Sequence, residues 1–140
     1  MEDRYLFKAK FDDSDRWVKG QLVEVNDTYF IIPNHASKIL AGLFSTSNIV
    51  EVKKDTICQC TGLKDKNGKL IWENDIVGYW DTYSTASGYA EANCIGKVVW
   101  DAETISFQVT NRLSAESYEV LDECSVIGNK FDNPELLESE

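Results

Sequence analysis

Apolar and polar residues alternate in short runs along most of this chain, and turn residues separate the runs. Tyr5, Phe7, Ala9 and Phe11 alternate with Arg4, Leu6, Lys8 and Lys10, a period of two that gives a strand one apolar face. Asp12, Asp13, Ser14 and Asp15 break the run. Trp17 to Val25 follows as a second strand, with Gly20 inside it marking a bulge. Asn26-Asp27 is a turn, and Tyr29 to Ile32 is a third strand before Pro33. Residues 34–48 differ: Ile39, Leu40, Leu43 and Phe44 have helical spacing and Ser37 can cap it, so one short helix is predicted there despite Gly42. Ile49 to Lys53 and Thr56 to Cys60 return to extended chain.

The second half repeats the strand pattern. Lys69 to Trp72, Asp75 to Asp81, Cys94 to Asp101, Ile105 to Thr110, Tyr118 to Leu121 and Cys124 to Ile127 are predicted strands. This many short strands in so little chain suits a small barrel. The segment between Asp81 and Cys94 is small and polar without a period, either a hairpin tip or a loop. The predicted fold is therefore mainly β. A small N-terminal β lobe with one short helix occupies residues 1–60, and a barrel with a C-terminal tail occupies residues 61–140.

Turn chemistry is densest in CQCTGLKDKNGKLIWENDIV, residues 58–77. Asn67-Gly68 between strand-like runs predicts a two-residue type I′ hairpin turn, because both residues tolerate positive φ. Gly62 and Asn74-Asp75 suit backbone turns. Each unusual residue here has a conformational task, so the stretch reads as a corner rather than a site. At the tail, Asn133 is predicted to cap one helical turn that starts at Pro134, with Leu136 and Leu137 as docking anchors.

TGLKDKNGKLIWENDIV (Thr61–Val77) resembles the signature segment of the YopX-type family of small phage and prophage proteins, and VIGNKFDNPELLE (Val126–Glu138) is similar to that family's C-terminal motif. YLFKAKFDDSDRWVKGQLV and YFIIPN also look like longer members of the family. Cys60 stands where an aromatic is usual, and Asn74 where glycine is usual; asparagine accepts the same left-handed geometry. The resemblance implies an SH3-like barrel in the second half and a phage or prophage setting. It implies no established activity and transfers no catalytic or binding residue.

Charge sharpens the picture. The net charge is −10, and it is unevenly divided. Residues 1–70 carry 11 Lys/Arg and 10 Asp/Glu, a balance of +1, whereas residues 71–140 carry 3 and 14, a balance of −11. The acidic half repels nucleic acid and anionic lipid, so neither is expected as a partner. Its ordinary role is solubility. Its sharper role is a face for a basic host protein, with Asp101, Glu103, Glu116, Glu119, Asp122 and Glu123 as the candidate contact residues.

Candidate chemistry adds little. Cys58 and Cys60 share a strand face, but Cys94 and Cys124 are isolated and His35 is the sole histidine, so metal ligation lacks its usual spacing and buried thiols are expected. No nucleophile elbow or phosphate-binding loop occurs. No catalytic, cofactor-binding or metal residue is assigned, and no enzyme activity is expected. Trp17, Trp72, Trp80 and Trp100 fit a stacking platform for single strands, but the acidic half holds three of them, so core aromatics are the expected role. No apolar run is long enough for a membrane helix and the N-terminus lacks a secretory pattern, so the host-cell cytosol is the expected location. The function expected is a non-enzymatic phage or prophage accessory protein working through protein contacts, as a homo-oligomer. A nucleic-acid-binding module that uses the first lobe's lysines, and an acidic nucleic-acid mimic that inhibits a host protein, are the alternatives.

Overall fold

Alternation dictates strands, and strands dominate the computed structural model, which describes residues 5–33, 49–110, 117–119 and 124–138. The chain divides into two units, Met1–Cys60 and Thr61–Glu140.

In the first unit, β1 (Phe7–Lys10) pairs antiparallel with β2 (Trp17–Val25), which pairs with β3 (Thr28–Pro33), which pairs with β4 (Val50–Glu51). A 3-10 turn at Lys54–Thr56 leads into β5 (Cys58–Lys64), whose start pairs with the other side of β1. The chain leaving β4 returns to the end of β1: Val52 bridges Phe11, and Lys53 N donates to Lys10 O at 2.9 Å. The β1 period of two then sorts its residues. Ala9 is buried with Val18, Ile31 and Val52, and Phe7 and Phe11 pack against them.

Two turn expectations change places. Asn26 and Asp27 both take positive φ, 50° and 62°, so the type I′ hairpin turn lies between β2 and β3. Gly20 marks no bulge, since β2 keeps continuous register with both neighbours. It is glycine because a Cβ there would lie 1.8 Å from the Ile32 carbonyl oxygen. The helix predicted over residues 34–48 falls outside the described residues.

In the second unit, β6 (Leu70–Trp72) follows the hairpin and five strands form an open sheet in the order β10-β9-β8-β7-β11. These are β7 (Asp75–Thr85), β8 (Gly88–Asp101), β9 (Ser106–Thr110), β10 (Ser117–Glu119) and β11 (Ser125–Asn129). The mainly β expectation holds, but the described strands form no closed barrel, because β10 and β11 end the sheet on opposite sides. Ile71, Val77, Val98, Val109 and Cys124 form the core, with Tyr79, Phe107 and Val126 against it. Gly96 permits this packing, since a Cβ there would meet Val109 Cγ1 at 2.4 Å.

Residues 81–94 are the hairpin alternative and not the loop. The β7–β8 ladder runs unbroken from Ile76↔Lys97 to Thr85↔Gly88. Its neighbours stop earlier: β11 reaches only Gly78, and β9 pairs with β8 from Lys97 onward. Among the described residues a two-stranded extension follows, built from small and polar residues whose weak periodicity hid the strands.

Candidate protein-interaction surface

The signature hairpin is built around one carboxylate. Asp65 is only 5% exposed. Its Oδ1 accepts the backbone N–H groups of Asn67 and Lys69, both at 2.9 Å, and its Oδ2 accepts Val126 N at 2.9 Å from the start of β11. Burial pushes the Asp65 carboxyl up. The donations from Val126, Lys69 and Asn67, with the Lys69 charge, outweigh that and hold it below its ordinary value. The tip itself differs from the predicted type I′ turn. Gly68 N bonds Asp65 O at 3.0 Å, and only Gly68 has positive φ, at 82°. This is a type I turn closed by a left-handed glycine, which the aspartate at its first position favours.

The second motif locks onto the turn at Asn74, within the same unit. Asn74 takes φ 71°, its N donates to Val98 O at 2.8 Å, and its O accepts Lys130 N at 2.9 Å. Asn129 Oδ1 then accepts Phe131 N and Asp132 N, each at 2.9 Å. The helical turn α1 (Glu135–Glu138) forms as predicted after Pro134 and lies near β8. Asn133 acts differently from expectation: its side-chain Oδ1 accepts Asn129 N at 3.2 Å, while its main-chain oxygen accepts Leu136 N. Gly128 leaves room for this, since a Cβ would stand 2.6 Å from Asn133 Oδ1. Both motifs are therefore architecture.

The predicted acidic residues are only partly placed. Asp101 ends β8, half-buried, and its Oδ1 already accepts Glu103 N at 2.9 Å. Glu103 is exposed in the β8–β9 loop beside it. Glu119 lies on β10, paired with Gln108 of β9. Glu116, Asp122 and Glu123 lie outside the described residues. The structure thus brings together Asp101 and Glu103.

Beside them are apolar residues whose exposure the pattern did not mark. Trp100 pairs with Phe107 across the last rungs of the hairpin, their rings edge-to-face with centroids 5.1 Å apart, and Trp100 is 48% exposed. Ile105 is 75% exposed with φ 53°. Trp80, on β7 opposite Asn93 and away from this loop, is 58% exposed. The core role expected of the tryptophans suits Trp72, which is buried, and fails for Trp80 and Trp100. Parity with the buried Val98 places Trp100 on the core side of β8. What parity cannot convey is that the fully buried core ends two rungs earlier, at Val98↔Val109, and that on the Trp100 rung Phe107 alone packs against it.

The first unit's cations are differently used. Lys8 and Lys10 are buried, with their ammonium groups 4.8 and 5.4 Å from the Trp17 ring centroid. Lys10 Nζ also lies 4.0 Å from Asp15 Oδ1, and Lys53 Nζ lies 3.5 Å from it. Such contacts commit these lysines within the fold. Cys58 and Cys60 are buried on one face of β5, and Cys58 Sγ donates to Thr56 O. No cluster able to hold a metal ion occurs among the described residues.

The class defined so far is a mainly antiparallel β protein of two units, its corners pinned by aspartate and asparagine and its second unit showing exposed tryptophan beside carboxylates. Comparison gives it a family. The family model described as YopX protein matches residues 6–138, and the chain belongs to that family. The crystal structure of protein EF1440 from Enterococcus faecalis is similar, with a TM-score of 0.49 and 24% identity, covering 94% of this chain and 96% of that one. No curated protein matches the chain.

Proposed function

We propose that this chain is a non-enzymatic phage or prophage accessory protein that acts in the host cytosol through protein–protein contacts of its acidic second unit. The observation that carries this reading is the exposure of Trp80 and Trp100 in a stretch where 14 Asp/Glu face 3 Lys/Arg. Exposed tryptophan is a frequent anchor of protein interfaces, and carboxylates around it favour a basic partner. Among the described residues no helix is long and apolar enough to cross a membrane. Homo-oligomerisation belongs to the same proposal, supported by the β10 edge of the described sheet; the outer side of β11 already meets the Asp65 hairpin, through Val126 N to Asp65 Oδ2 and through Lys66 N to Cys124 O just before the strand.

The nucleic-acid-binding alternative requires free lysines in the first unit. Lys8 and Lys10 are instead buried against Trp17, which lowers their value for phosphate contact. The acidic-mimic alternative uses the same second unit and differs only in the partner's own function. One experiment separates these readings: tagged protein is presented to host lysate and, in parallel, to immobilised single- and double-stranded DNA. Capture of a defined basic protein, weakening with salt, is expected. Salt-sensitive retention on DNA with no protein captured would reject the proposal. Sedimentation of the purified chain tests the oligomer, and a monomer at all concentrations would remove that part.

A further inference from the structure

We propose that the tip of the β8–β9 hairpin is the docking point for a basic protein segment that carries an apolar anchor residue. This rests on the reading that the second unit works through protein contacts, and it names the contact.

A β-branched side chain resists the left-handed region, because its branched Cβ crowds the following peptide. Ile105 nevertheless takes φ 53° in a four-residue loop where glycine or asparagine would be relaxed. It gains no burial in return, being 75% exposed. A residue that is unfavourable for both backbone and solvent serves the free fold poorly. Strain of this kind concentrates at binding elements.

The surroundings supply the rest of a contact. Trp100 stands beside the loop, held edge-to-face by Phe107, so it offers a large apolar surface that loses little freedom on binding. The loop is tied internally. Asp101 Oδ1 accepts Glu103 N, Thr104 Oγ1 meets Ser106 Oγ at 2.8 Å, and Gln108 Nε2 donates to Ser106 Oγ at 2.8 Å. These bonds set the loop before any partner arrives.

Charge selects the occupant. Glu103 is exposed in the same loop as Ile105, within a stretch whose balance is −11, while Asp101 alternates to the other face from Trp100. Nucleic acid is repelled, and so is the same acidic stretch of a second copy. A segment with lysine or arginine around one apolar side chain satisfies both parts. The apolar residue covers the surface that Ile105 and Trp100 leave exposed, and the cations face Glu103.

The test uses the full chain and three synthetic peptides, alternating lysine–leucine, lysine–serine and glutamate–leucine. Binding is followed by fluorescence anisotropy, and the site by the Trp100 indole N–H signal in NMR. The lysine–leucine peptide is expected to bind, to shift that signal and to weaken with salt. The other two peptides should bind roughly tenfold more weakly or not at all. Ile105→Asn is the decisive variant, because asparagine accepts the left-handed region. It should raise the melting temperature and weaken the lysine–leucine peptide roughly tenfold. Glu103→Lys should weaken it several-fold, while Glu24→Lys in the first unit should not. Undiminished binding by Ile105→Asn overturns the proposal. So does equal binding of the lysine–serine peptide, which would mean charge alone. Self-association that Ile105→Asn abolishes would give the tip to a second copy and also overturn it. The broader reading fails separately, if host proteins are not captured by the unaltered chain.

Discussion

Two hairpin loops of the second unit begin alike and end differently. In each, an aspartate that ends the first strand or directly follows it accepts a backbone N–H two residues on, Asn67 for Asp65 and Glu103 for Asp101. In each, the last loop residue has positive φ. The first loop fills that position with Gly68, and its aspartate is buried and takes three donors. The second fills it with an exposed Ile105, and its aspartate is half-buried. The same local chemistry is spent on architecture in one case. In the other it presents an apolar side chain to solvent. A departure from conformational preference is informative when a neighbouring loop shows the preference obeyed.

The largest expected effect breaks the architectural loop. Asp65→Ala leaves three backbone donors without their acceptor and should cost roughly 2–4 kcal/mol in urea unfolding. A loss within error would mean that water replaces the carboxylate, and the two loops would then be equivalent.

The next effect concerns the glycine position and has opposite signs in the two loops. Gly68→Val should destabilise by about 1–2 kcal/mol, because its φ of 82° disfavours a β-branched residue. Ile105→Asn should stabilise by about 0.5–1 kcal/mol for the same reason. Equal signs in thermal melts would remove the contrast.

A finer effect lies in acid. Asp65 binds a proton less readily in the folded chain than its ordinary value of 3.8 implies. The unfolded chain therefore takes up the proton first as pH falls. The stabilisation is complete above the ordinary value and is lost as pH falls through the lowered folded one. Asp65→Asn should flatten this acid limb of stability against pH, and an unchanged slope would assign it to other carboxylates.

Sequence legibility followed the physics of each position. Positive φ at Gly68 and Asn74, the turn at Asn26-Asp27 and the helical turn after Pro134 were readable, because few residue types tolerate those geometries. The type of the Asn67-Gly68 turn was not, since it depends on a buried aspartate whose third donor comes from Val126. The β7–β8 extension was hidden by residues without hydrophobic alternation. The exposure of Trp100 depends on where the core stops, and strand parity carries no such information. Of the six acidic residues singled out, Asp101 and Glu103 were found adjacent, yet the exposure of the apolar pair beside them carried no pattern of its own.

The Asp65 carboxylate also imposes an order in time. Its partners at Asn67 and Lys69 are within four residues, but Val126 lies 61 positions further along the chain. At synthesis rates of about 5–20 residues per second, the carboxylate waits roughly 3–12 s for that last donor. Until then only its local partners at Asn67 and Lys69 are within reach. Completing the three bonds therefore signals that the distant end of the sheet has arrived. Pulsed hydrogen exchange during refolding should show the Asn67 and Lys69 amides protected before that of Val126. Simultaneous protection would mean that the hairpin cannot stand without β11, and that assembly of this unit has no early stage.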